Sequence, residues 1–170
     1  WMYAGSEMAK DMFLKLCDWG CDVTGSLTDD EMERMCGQEF GGMNEVYADA
    51  YQMTGDAKYL NVARRFAHRW LLDSMAKGVD NLDNKHANTQ VPKVVGHART
   101  AEMYQLAGND EEAAYYQKAS EFFWETVVNT RSLAFGGNSR REHFASADDC
   151  KSYVDDREGP ESCNTNNMMK

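Results

Sequence analysis

One five-residue pattern, Tyr-Gln then Gly after two intervening residues, occurs twice and constrains the fold more than any other feature. Tyr51-Gln52-Met53-Thr54-Gly55 returns 53 residues later as Tyr104-Gln105-Leu106-Ala107-Gly108. Each copy ends in glycine, the residue that enters the left-handed conformation closing a helix without steric cost. Each is followed by a side chain able to cap a new helix, Asp56 in one case and Asp110 in the other. The segments that follow, Tyr59 to Phe66 and Ala113 to Phe122, carry apolar residues at helical spacing. Phe13 stands 53 residues before Phe66, so part of a third copy precedes the first two. The repeating unit is therefore a helix pair of roughly 50 residues, and such pairs stack into a solenoid or close into a ring. The expected hairpins are Met43–Met53 with Asp56–Leu72 and Val91–Leu106 with Asp110–Val128. The fold class is all-α, in one domain over 1–170.

Composition agrees with helices and narrows the partners. Pro92 and Pro160 are the only prolines in 170 residues, and 42% of the chain is hydrophobic, enough for one substantial core. A net charge of −10 argues against a nucleic-acid groove, which needs clustered Lys and Arg. No apolar run approaches the roughly 18 residues a membrane span requires. No basic segment followed by an apolar one marks a signal peptide. The chain opens on Trp1 and ends within an apolar run, Met168-Met169, and reads as an internal fragment. Five cysteines form no regular framework. Cys17 and Cys21, four apart on one helix face, read as core thiols, and Cys36 and Cys150 as incidental.

Two loops interrupt the helical pattern. Lys77–Asn84 leads into His86, and Gly136-Gly137 opens a polar, aspartate-rich stretch that reaches Gly159-Pro160. Loops this long in a compact domain are functional or disordered. The second contains Glu142 between Arg141 and His143, a cluster whose bland reading is a solvated charged patch. It leads to Glu161 and Cys163. A carboxylate two residues from a thiol suits zinc, which binds both ligand types, but two donors are half of a closed tetrahedral set. Pro160 fits the first position of a helix, which would put Glu161 and Cys163 in its first turn. His97, one to two turns into a helix beginning at Val91, and His68, on a surface helix, read more simply as structural residues. Trp19, Trp70 and Trp124 read as core residues before they read as sugar platforms.

Five motifs occur in order: Gly42-Met43-Asn44-Glu45, His86-Ala87-Asn88-Thr89-Gln90-Val91-Pro92-Lys93, Gly136-Gly137-Asn138-Ser139, Arg141-Glu142-His143-Phe144, and Gly159-Pro160-Glu161-Ser162-Cys163-Asn164-Thr165. Together they resemble the β-L-arabinofuranosidases of glycoside hydrolase family 146, relatives of family 127, across nearly the whole chain. The resemblance implies the N-terminal part of an (α/α)6 barrel and a retaining hydrolase of arabinofuranose-containing plant glycans. It implies that a zinc-bound cysteine thiolate attacks the anomeric carbon while a glutamic acid protonates the leaving oxygen. Position by position, Glu142 matches the acid/base, and Glu161 and Cys163 match the glutamate and first cysteine of the zinc site. The resemblance places the other two zinc cysteines, one of them the nucleophile, in a segment after Lys170. His86, His97, Asn44 and Glu45 become candidate sugar contacts, because inner helices of such a barrel begin at the cleft.

The resemblance carries expectations that geometry can meet or miss. Glu142, Glu161 and Cys163 should converge on one concave face near His86, since acid and nucleophile of a retaining enzyme lie about 5 Å apart. The arginines beside Glu142 oppose a proton-holding carboxyl unless they point elsewhere. With half a ligand set, the chain should bind zinc weakly or not at all, and the loop from Gly136 to Pro160 should be mobile. The alternatives are a metal-free toroid enzyme using Glu142 and Glu161 as paired carboxylates, and a helical-repeat binding module. Sequence leaves the compartment open, with a periplasmic or secreted setting favoured.

Overall fold

The computed structural model describes residues 4–38, 41–149 and 151–170. The expectation for Cys150 falls outside them. Nine helices follow one another among the described residues: α1 (Glu7–Gly25), α2 (Asp29–Cys36), α3 (Met43–Thr54), α4 (Ala57–Arg65), α5 (Arg69–Ala76), α6 (Ala87–Leu106), α7 (Asp110–Thr130), α8 (Ser152–Asp155) and α9 (Ser162–Met168). No strand occurs among these residues, only isolated bridges joining His143 to His86 and to Arg140. No helix among them is long and apolar enough to cross a membrane.

The repeated corners form as their chemistry dictates. Gly55 sits at φ 71° and donates its N–H to the Tyr51 carbonyl, and the Asp56 carboxylate caps α4 by accepting from Lys58 N at 3.0 Å. Gly108 takes φ 76° at the second corner. There the cap is Asn109, whose side chain accepts from Glu112 N at 3.2 Å. Asp110, the expected cap, instead begins α7 with Glu111 and Glu112, an acidic first turn that suits the helix dipole. Helix α3 pairs with α4, and α6 with α7.

Helices α3 and α6 run parallel. Asn44 meets Lys93 near their starts, and Asp49 and Gln52 meet Arg99 farther along. Parallel first helices of successive hairpins are what a helical toroid requires, and the arrangement is consistent with part of an (α/α) barrel. One buried core joins α3, α5, α6 and α7 through Tyr47, Leu71, Met75, Val91, Tyr116 and Phe123.

Three expectations fail for identifiable reasons. Asp56–Leu72 is not one helix: the chain breaks at Phe66–His68, where His68 adopts φ 52°. The Glu33 carboxylate accepts from Arg69 N and Trp70 N, each at 2.9 Å, and so starts α5 anew. Helix α5 then packs on α7 rather than on α3. His68 is consequently buried, not on a surface helix, and its Nδ1 accepts from Lys93 Nζ at 2.9 Å. Finally, α6 begins at Ala87 rather than Val91, because the His86 ring supplies the N-cap. Pro92 is therefore inside the helix, where it cannot supply the N–H that the Asn88 carbonyl would otherwise accept.

The tryptophans also depart from expectation. Trp19 and Trp124 are more than half exposed and Trp70 about a third exposed, because helical spacing alone does not say which face is covered. Cys17 is buried as expected, and burial pushes its thiol up to about 11. Cys36 is fully buried and shifted likewise.

Candidate active site

Glu142 lies at the tip of a two-residue hairpin. Arg140 N donates to the His143 carbonyl at 2.8 Å, and His143 N returns the bond to the Arg140 carbonyl at 3.0 Å. The two central residues, Arg141 and Glu142, have φ 48° and 67°. Two successive positive φ values are what a type I′ turn demands, and Asn-Gly or Asp-Gly normally fill them. Arg-Glu in this position is costly, and such outliers gather at functional sites.

The hairpin is fastened to the start of α6. Asn84 N donates to the Phe144 carbonyl, Phe144 N to the Lys85 carbonyl, and Ala87 N to the Glu142 carbonyl at 2.8 Å. Buried Arg131 adds a clip: its guanidinium binds Asp80 and Asp83 on the first loop and the Ala145 carbonyl on the second. The two loops thus meet beside His86. Its Nε2 lies 3.8 Å from Glu142 Oε2, and its ring stands edge-on to His143 with centroids 5.3 Å apart. The Arg141 guanidinium turns to Asp156 at 2.9 Å and is engaged there rather than held for Glu142 alone.

Glu161 and Cys163 sit side by side. Cys163 Sγ is 3.6 Å from Glu161 Oε2. Burial pushes the Cys163 thiol up, and the Glu161 charge adds to the effect. Pro160 falls one residue before the cap, not at the first helical position. Glu161 is the N-cap residue with extended backbone, and Cys163 is the second residue of α9. That irregularity lets residues two apart face the same point, which a regular helix would not.

Fully buried Ser139 connects this turn to the hairpin, and nothing in the sequence marks it beyond its place in the glycine motif. Its Oγ accepts from Glu161 N at 3.3 Å and from Asn164 Nδ2 at 2.7 Å, three residues before Glu142. The Gly136-Gly137 break is shaped for this contact. A Cβ on Gly137 would lie 2.5 Å from Pro160 Cβ, and the Gly136 carbonyl accepts from Thr165 Oγ1 at 2.9 Å. Farther along α9, Asn167 Nδ2 donates to Asn88 Oδ1 at 2.8 Å, and Lys170 Nζ reaches Glu45 Oε1 at 3.0 Å. These contacts tie α9 and Lys170 to the starts of α3 and α6, while Glu142 lies beside His86 and Glu161 beside Cys163. Asn138 and Asn164 are both buried, and of the two amides Asn164 is engaged through its Nδ2, which donates to Ser139 Oγ.

Two candidates do not belong there. His97 has no exposed surface: its Nε2 donates to the Ala67 carbonyl and its ring packs edge-on against Tyr116. Burial holds its basicity down, to a pKa of about 4. It cannot touch a sugar from that position. Asn44 is equally buried and binds the Lys93 carbonyl at 2.7 Å while accepting from Glu45 N at 3.1 Å. It holds α3 to α6 against Gly96, where an added Cβ would lie 2.0 Å from Asn44 Oδ1. Helical phase was not known well enough from sequence to send either residue inward.

Among the described residues no three His, Cys, Asp or Glu side chains gather closely enough to hold a metal ion. The carboxylate and thiol of Glu161 and Cys163 are the donor types zinc accepts, and they supply two positions of four. No curated protein matches the chain significantly. A family model does, over its whole length: that of the β-L-arabinofuranosidase, GH127 catalytic domain, matches residues 1–170. The family match and the all-helical architecture agree, and the chain belongs to the GH127 β-L-arabinofuranosidase catalytic-domain family, which makes it a glycoside hydrolase sequence rather than a repeat-type binding module.

Proposed function

We propose that the chain belongs to a zinc-dependent, retaining β-L-arabinofuranosidase of the family 146 type, acting on arabinofuranose-containing plant glycans. The contact between Glu161 and Cys163, tied through Ser139 to the hairpin of Glu142, is the observation that carries this reading. In it, Glu161 and Cys163 hold zinc, Glu142 donates and then recovers the proton, His86 binds sugar hydroxyls, and Glu45 borders the cleft. Bound zinc would favour thiolate over thiol, opposing the push that burial and Glu161 give Cys163.

The residues themselves account for the remaining roles. The hairpin presents the Glu142 carboxyl at a turn tip, away from the backbone that fastens it to α6. With Arg141 paired to Asp156, the glutamic acid faces the His86 side of the hairpin, where a leaving oxygen can take its proton. In the second half of the reaction the carboxylate takes a proton from water. The nucleophile's role is not given to any of these residues. Lys170 lies against Glu45, so its ammonium offsets one of the carboxylates beside the cleft.

The test is hydrolysis of an aryl β-L-arabinofuranoside by an active enzyme containing this chain, with the first-formed anomer followed by NMR. Retention of the β-configuration and loss of rate on chelation, restored by zinc, are expected. Inversion, or a rate indifferent to chelation, would instead favour a metal-free pair of carboxylates.

A further inference from the structure

The two histidines beside Glu142 are fixed in opposite tautomers by the backbone groups they touch. The Thr89 amide N–H donates to His86 Nδ1 at 3.3 Å, so that nitrogen carries a lone pair and Nε2 carries the hydrogen in the neutral ring. His143 is the reverse. Its Nδ1 lies 2.6 Å from the Arg141 carbonyl, which can only accept, so Nδ1 carries the hydrogen and Nε2 the lone pair. The rings stand 5.3 Å apart at 61°, and the donor nitrogen of His86 lies 3.8 Å from Glu142 Oε2.

We propose that His86 and His143 form a tautomer-locked donor–acceptor pair that takes two neighbouring hydroxyls of the sugar, with His143 as a specificity-determining residue; this rests on the hydrolase reading above. Neighbouring hydroxyls of a furanoside can each donate or accept. One accepts from His86 Nε2–H while the other donates to His143 Nε2, which sets the sugar's face beside Glu142. Both locks are local. The cap of α6 holds one ring and the two-residue hairpin holds the other, so neither depends on the sugar to choose its tautomer.

Two measurements decide it. Long-range ¹H–¹⁵N spectra of the histidine-labelled chain at pH 8 should show an unprotonated Nδ1 for His86 and an unprotonated Nε2 for His143. The same tautomer in both rings would overturn the lock. In the active enzyme, His143→Ala should lower kcat/KM on an aryl β-L-arabinofuranoside roughly three- to tenfold, the effect of one neutral hydrogen bond. His143→Gln, which keeps an acceptor, should recover part of that. The loss should vanish on one of the two singly deoxygenated analogues. An equal loss on both analogues and the parent sugar would mean that His143 serves the fold alone. If the unsubstituted enzyme leaves β-L-arabinofuranosides intact, the proposed activity fails and takes the sugar role with it, while the spectra still decide the lock.

Discussion

Glu142 shows what a single residue can cost its own fold. Its left-handed backbone suits glycine, and its largely exposed side chain returns little to stability, lying 3.8 Å from His86. Glu142→Gly should therefore stabilise the chain by about 0.5–1 kcal/mol while removing turnover, a strained functional residue exchanged for a relaxed one. Urea unfolding of the two proteins would check this, and a clear loss of stability would contradict it. The turn was not legible in the sequence. Arg-Glu carries none of the signals of a type I′ hairpin, so the residue could be singled out by motif while its conformation stayed hidden. Glu161 and Cys163 were legible as a pair by their sequence spacing, but it is the extended backbone of Glu161 at the cap of α9 that lets them face one another.

Helices and their junctions obey local rules until a distant residue intervenes. Gly55, Gly108 and Asp56 act within one turn of themselves, and the corners they make could be read directly. The break between α4 and α5 could not, since Glu33, more than thirty residues away, supplies the cap. The same holds for Gly96. In an open helix, alanine would be better than glycine by about 1 kcal/mol. Here its Cβ would meet Asn44 Oδ1 at 2.0 Å, and Asn44 is buried and bonded at both ends. Gly96→Ala should destabilise the chain by about 2 kcal/mol, with the cost of the pair Gly96→Ala and Asn44→Ala smaller than the sum of the two. Additive single-variant effects would argue against this close fit.

Buried histidines at these junctions give a second prediction. Burial, with nearby Lys93 also acting on His68, holds His68 to about 4, and burial holds His97 to about 4, against an ordinary 6.5. Their folded values lie below the unfolded ones. The unfolded chain therefore binds more protons between pH 6.5 and 4, and stability must fall as pH falls through that window. The loss is up to roughly 3 kcal/mol for each ring. Denaturant midpoints should drop between pH 7 and pH 5. A midpoint that held constant or rose would contradict the burial of these rings.

Across the whole molecule, pairwise contacts tie the segment that follows the Glu142 hairpin back to the starts of α3 and α6, with Lys170 reaching Glu45 and Asn167 reaching Asn88 although these residues are far apart in sequence. The repeat made the parallel course of α3 and α6 foreseeable, because equal units stack in equal orientation. The motifs named most of the residues that meet. Ser139, which joins the Glu142 hairpin to the turn of Glu161 and Cys163, stands within a motif but gains that contact only from the path of the loop, which no local pattern encodes. The central claim is a division of labour at this site, one residue moving a proton and another holding metal. Zinc content and rate on an aryl β-L-arabinofuranoside, measured together for Glu142→Gln and Cys163→Ser in the active enzyme, test it most directly. Glu142→Gln should keep its zinc and lose turnover at least a hundredfold, within the range of general acid–base catalysis, and Cys163→Ser should lose zinc and activity together. Zinc lost from Glu142→Gln, or both zinc and activity retained in Cys163→Ser, would contradict it.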